Sequence, residues 1–218
     1  MKAFSCLFPV FALLLPMALS AGEMKSEFFQ KLTLVYEDGF EGSTLNPEFW
    51  EVRQSSTWEI RDGVLTGSQS AKEFQEKMIA KGDRAHAGFK PVIWLKQVPE
   101  SFVCALRMRY NAEDYHPKFP LLDLGHHIHT LIFGREQTSL TLGKNSEPLL
   151  TKESLLPLNE WADVVIELKK GAILLQINGK KHRFEDARID MTGHAQIDFK
   201  GVDFGSCQID HIRLWKGE

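Results

Sequence analysis

Three observations predict an all-β domain built from two antiparallel sheets. Short segments of alternating apolar and polar residues recur along most of the chain, tight-turn signals separate them, and the stretches nearest the two ends both read as strands. The clearest alternation is Phe102 to Tyr110, FVCALRMRY, apolar at even positions through Met108. The firmest turn signals lie between Ala162 and Phe184. There ADVVIELK and AILLQI are separated by Lys170-Gly171, and AILLQI turns into KKHRF through Asn178-Gly179, a pair that accepts the positive φ angles of a two-residue hairpin. Consecutive antiparallel pairs argue against a parallel, nucleotide-binding sheet, and the sequence holds no Gly-rich phosphate loop.

The first segment reads as a signal peptide. Lys2 is followed by an apolar run from Ala3 to Leu19, then by the small residues Ser20, Ala21 and Gly22. Pro9 and Pro16 interrupt the run, which argues against a membrane span, and Cys6 lies too early to be a lipid-anchor cysteine at the cleavage point. Residues 1–21 are therefore expected to be a leader and 22–218 one domain, secreted or periplasmic, with no membrane contact once the leader is removed. The net charge is −3 with the two signs interspersed, so nucleic acid is not an expected partner. The pairs Lys169-Lys170 and Lys180-Lys181 read as solvated hairpin tips.

Strands are expected at Leu32–Tyr36, Thr57–Ile60, Val92–Leu95, Phe102–Tyr110, His127–Phe133, Thr138–Leu142, Ala162–Leu168, Ile173–Ile177, Gln196–Phe199 and Gln208–Trp215. One segment keeps a helical period, Ser70 to Lys81. The opening strand or the one after it is expected beside the closing strand, because closure removes exposed sheet edges. Cys104 and Cys207 each fall on an expected strand. Burial as two separate thiols and pairing in a disulfide are both open, since sequence does not supply the Cα separation.

Several short stretches follow one another in an order that resembles a known superfamily. They are Phe40, Gly42, Leu45 and Trp50; Trp58-Glu59-Ile60 with Asp62-Gly63-Val64-Leu65; Asn159-Glu160-Trp161; Ile177-Asn178-Gly179-Lys180; and Ile209-Asp210-His211-Ile212-Arg213-Leu214-Trp215. Together they resemble the concanavalin A-like lectin/glucanase superfamily, most of all its secreted 3-keto-disaccharide hydrolase (glycoside-hydrolase-like) domains. The resemblance implies a jelly-roll β-sandwich of two curved antiparallel sheets that binds carbohydrate on its concave sheet. Laminarinase-type members carry Glu-x-Asp-x-x-Glu on one strand, which points three acids into the groove. Here Glu37-Asp38, Glu59 with Asp62, and Glu185-Asp186 all have other spacings, so a retaining glucanase of that type is not expected.

Where keto-disaccharide hydrolase relatives carry a groove-facing acidic strand, this chain reads LLDLGHHIHTLIFG, Leu121 to Gly134. The catalytic candidates are Asp123, His127 and His129, because alternation would set the two imidazoles on one face of a strand. His126 is a candidate for substrate binding. A divalent metal is the one cofactor this cluster admits, with His116 or Asp114 as a further ligand, although the spacing is not that of a zinc motif. Half-buried packing histidines are the competing reading. His86 reads as an acid, a base or a plain surface residue, and Arg107 and Arg109 either hold a glycan or belong to a solvated sheet face. Trp94 offers a stacking platform for a sugar, whereas Trp50, Trp58, Trp161 and Trp215 read as packing residues. The function expected is hydrolysis of glycosides or 3-keto-disaccharides. The alternatives are a noncatalytic glycan-binding module and a protein-interaction domain.

Overall fold

In the computed structural model of the chain, residues 24–143 and 146–218 are described; the expected leader lies outside them. No helix among these residues is long and apolar enough to cross a membrane. The strands are β1 (Leu32–Asp38), β2 (Trp50–Val52), β3 (Ser56–Arg61), β4 (Val64–Ser70), β5 (Val92–Lys96), β6 (Phe102–Asn111), β7 (Leu121–Leu124), β8 (His129–Phe133), β9 (Thr138–Leu142) and β10 (Leu149–Leu150). They continue with β11 (Ala162–Lys169), β12 (Ala172–Ile177), β13 (Lys180–Glu185), β14 (Gln196–Lys200) and β15 (Ser206–Gly217). The single α-helix among the described residues, α1 (Lys72–Ala80), falls inside the segment with the helical period.

One sheet has the order β13-β12-β11-β6-β15-β4-β3, with β1 also paired to β15, and the other has the order β10-β9-β8-β7-β14-β5-β2. All ladders within both sheets are antiparallel. The ends of the domain meet as expected: Leu34 pairs with Trp215 and Asp38 with Ile212. Asn178 and Gly179 take φ values of 49° and 81°, the left-handed geometry their hairpin needs.

The two sheets close on one core. Leu122, Leu124, Leu131, Phe133, Ile197 and Phe199 point inward from the seven-stranded sheet, and Cys104, Met108, Tyr110, Ile166, Ile209 and Leu214 from the other, all fully buried. Each large apolar side chain so buried contributes about 1.5–3 kcal/mol. Trp50 lies in this core, its indole N–H donating to the Tyr36 hydroxyl at 2.9 Å. Cys104 and Cys207 are buried as separate thiols.

The histidine segment differs from its expected form. The strand expected at His127–Phe133 begins two residues later, after a hairpin turn: β7 ends at Leu124, Gly125 and His127 turn the chain at φ values of 71° and 67°, and β8 begins at His129. The turn breaks the alternation, so His127 and His129 do not share a face. His129 pairs with Leu124 on the inward side of the sheet and is 1% exposed.

Candidate functional site

The outer face of the seven-stranded sheet carries a cross-strand row of residues that could serve as a site. Inward positions of β5, β14, β7 and β8 are apolar apart from His129, and the alternating outward positions place Trp94, Asp198, Asp123 and Thr130 side by side, each the register partner of the next. One pair further along β14 stands Lys200, between Val92 and Leu121.

This row holds two carboxylates with no exposed side-chain surface, Asp123 and Asp198. Burial of that kind demands partners, and each oxygen has one. The Lys200 ammonium contacts Asp123 Oδ2 and lies 3.2 Å from Asp198 Oδ2. The Thr130 hydroxyl donates to Asp123 Oδ1, and the Gln196 amide donates to Asp198 Oδ1 at 2.7 Å. The turn after β7 then lays two imidazoles over them. His126 Nδ1 is 2.7 Å from Asp198 Oδ2, and His127 Nδ1 is 3.4 Å from Asp123 Oδ2. A carboxylate at Nδ1 favours the tautomer with the proton on that atom, leaving Nε2 as an acceptor. Desolvation, and after it the Lys200 ammonium, lowers the pKa of His127 below the usual imidazole value; Asp123 opposes them. His127 is therefore mostly neutral at pH 7.

Above this floor lies a hollow of about 450 Å³ lined by Arg53, Gln54, His86, Lys90, Trp94, Phe119, His126, His127 and Lys200, among others. The Arg53 guanidinium carbon sits 4.0 Å from the Trp94 ring centroid, and the His126 ring lies 4.9 Å from the same indole. His86 is held by Asp83 at 2.8 Å.

No family model matches the sequence, and no curated protein matches it. Solved structures do match in shape. An endo-β-1,3(4)-glucanase of family GH16 aligns with a TM-score of 0.57 at 12% identity, over 87% of this chain and 92% of that one. The catalytic domain of a laminarinase from Thermotoga petrophila gives 0.56 at 10%, over 86% and 99%. Porphyranase B from Zobellia galactanivorans gives 0.54 at 11%, over 90% and 97%. The chain has their two-sheet jelly-roll fold. At these identities the likeness is one of fold.

Within the jelly roll, five of the predicted site residues come together: Asp123, His126, His127, Trp94 and His86. Three do not. His129 faces the core, with Nε2 3.0 Å from the Asp190 backbone and a buried Nδ1 that has no partner among the described residues. Arg107 and Arg109 project from β6 on the outer face of the opposite sheet. Their guanidinium carbons each lie 4.9 Å from the Trp161 ring, and Arg109 donates to Gln208 at 2.8 Å. Alternation was read correctly on that strand, but it could not say which sheet the strand would join. Trp94 lines the hollow with Arg53 against its ring, so it is not a bare stacking platform.

Asp123, His126 and His127 offer ligand atoms within 4.8 Å of one another, the arrangement a cation would need. Lys200 meets that need itself, since its ammonium bridges both carboxylates. Neither further ligand candidate joins the cluster: Asp114 pairs with Arg135, and the His116 Nδ1 accepts from the Lys118 backbone. The sequence reading missed Asp198, Lys200, Gln196 and Arg53. The first three are the polar positions of QIDFK, an alternation that also describes a solvated strand face.

Proposed function

We propose that the protein is an exported carbohydrate-active enzyme that breaks glycosidic bonds in the hollow above Asp123 and Asp198. The observation that carries this reading is the pair of carboxylate-backed imidazoles at the floor of the hollow. A neutral His127 with its Nδ1 side toward Asp123 leaves Nε2 free to take a proton from a sugar hydroxyl or a water, and His126 has the same relation to Asp198. Arg53 supplies positive charge where an oxygen becomes negative. Carbohydrate as the substrate is supported by the glucanases and the porphyranase among the structural neighbours. Glycosides and 3-keto-disaccharides are the substrate classes to assay. The expected leader puts the work in the periplasm or outside the cell.

A noncatalytic glycan-binding module is the second reading, and one observation favours it. Glycoside hydrolysis by paired carboxyl groups needs both to reach the substrate, whereas Asp123 and Asp198 are wholly buried and share one ammonium. Substitution of the imidazoles separates the two readings. His127→Ala and His126→Ala should each lower turnover by about 10²-fold or more with the melting temperature nearly unchanged, since both side chains are about half exposed. Saturable binding of an oligosaccharide without turnover by the wild type would establish the binding module instead.

A further inference from the structure

The hollow is lined for a ligand that brings negative charge. Its ionisable lining residues, Arg53, His86, Lys90, His126, His127 and Lys200, are all bases, in a chain whose net charge is −3. The carboxylates that balance them are not among the lining residues: Glu51 bonds Arg53 at 2.5 Å, Asp203 is 3.3 Å from Lys90, Asp83 holds His86, and Asp123 and Asp198 lie under Lys200 and the other two imidazoles.

Arg53 is the best prepared of these bases. Packing against Trp94 restricts the guanidinium, and Trp94 is in turn packed against His126. Its Nη1 bonds Glu51, while Nε and Nη2 make no hydrogen bond among the described residues. A restrained guanidinium with one open edge suits two-point recognition of a planar or tetrahedral oxyanion. The pair it would loosen, Arg53 with Glu51, has both side chains more than a third exposed and contributes little. Two further lining residues want partners: among the described residues the buried Trp94 Nε1 is an unpaired donor and the buried Gln54 Oε1 an unpaired acceptor. Sugar hydroxyls both donate and accept. The turn that presents Arg53 and Gln54 is also strained, with Gln54 and Ser55 at φ values of 54° and 50°.

We infer that the hollow binds a sugar unit carrying an anionic substituent, a carboxylate or a sulfate ester, gripped by the open edge of Arg53. This rests on the carbohydrate reading above and narrows its substrate class. The test is calorimetric titration of the chain with trigalacturonate, a sulfated galactotriose and neutral laminaritriose at equal concentrations, repeated with Arg53→Gln and Arg53→Lys. One anionic trisaccharide should bind at least about tenfold more tightly than the neutral one, and which of the two does so identifies the substituent. Arg53→Gln should lose about tenfold for that ligand, and Arg53→Lys should recover only part, because lysine keeps the charge and loses the fork. Laminaritriose binding as tightly as both anionic sugars, or Arg53→Gln binding like the wild type, would overturn the inference and leave the carbohydrate reading standing. Binding of none of the three would overturn both. The wild-type comparison decides the matter even if the variants fold poorly.

Discussion

Asp123 and Asp198 stand opposite one another on neighbouring strands, both without exposed side-chain surface, and the ammonium of Lys200 touches both. Two like charges in adjacent pleats repel unless a cation joins them. The floor of the hollow is thus a triad of one cation and two anions, with the imidazoles of His126 and His127 as a second layer of partners.

Removing the cation should be costly. Lys200→Met leaves two buried carboxylates with only neutral donors and imidazoles, and breaking a buried pair in this way costs about 3–5 kcal/mol. Denaturant unfolding should record that loss. Lys200→Met combined with Asp123→Asn and Asp198→Asn should recover much of it, because the uncompensated charge is gone. If Lys200→Met were as stable as the wild type, the triad would not be the electrostatic unit described.

The fold was legible in the sequence because its strands announce themselves by period, and a period of two survives whichever sheet a strand joins. Phe102–Asn111 and Ala162–Lys169 were readable for this reason, as was the hairpin at Asn178-Gly179. The site was legible only in part. Asp123, His126 and His127 are neighbours in sequence and stayed neighbours in space, but Asp198 and Lys200 reach them through a strand pairing 75 residues or so away along the chain, which no local pattern encodes. The error at His129 came from starting the strand at His127, whose φ of 67° places it in the turn that reverses the chain before β8. Arg107 and Arg109 could be read as glycan contacts or as a solvated sheet face, and only the pairing of β6 into the other sheet sets them away from the hollow.

His129 should make the protein sensitive to acid. Burial lowers its pKa below the ordinary value of 6.5, and the backbone contacts at Asp190 oppose that only partly. The unfolded chain then binds this proton more readily than the folded one. The stabilising contribution is therefore present above about pH 6.5 and is lost as the pH falls toward the folded value. The urea midpoint should drop between pH 7.5 and pH 5.5, and His129→Leu should drop less over the same interval. His127, lowered in the same direction, keeps part of the dependence in that variant. An equal drop in both proteins would remove His129 as its source.

Gly67 is a packing requirement. It is the register partner of Trp58, and a β-carbon on Gly67 would overlap the indole, which is fixed by donation from its Nε1 to the Ser56 hydroxyl at 3.0 Å. Gly67→Ala should cost about 1–3 kcal/mol, the usual penalty for overfilling a packed site. Combining it with Trp58→Leu should cost less than the sum of the two changes, because the smaller side chain yields the space. Additive losses, read from denaturant midpoints, would mean that the glycine serves the strand's backbone and not the indole.

Cys104 and Cys207 should remain thiols even in an oxidising compartment, although two cysteines beyond an expected leader invite the opposite expectation. They lie on adjacent strands, but Cys207 pairs with Tyr110 and Cys104 with Leu214. Six residues of β6 therefore separate Cys104 from the position opposite Cys207, about 20 Å along the ladder, whereas a disulfide needs Cα atoms within about 7 Å. Nor is either sulfur reactive. Burial pushes the Cys104 thiol up to about 12 and raises Cys207 as well, so almost no thiolate exists at neutral pH. A chain lacking residues 1–21 should give no reaction with a disulfide-exchange reagent at pH 8 when native, and two equivalents once unfolded in guanidinium chloride. Fast labelling of the native protein would show that β6 and β15 open on the time scale of the assay, and fewer than two equivalents after unfolding under nonreducing conditions would reveal an oxidised pair.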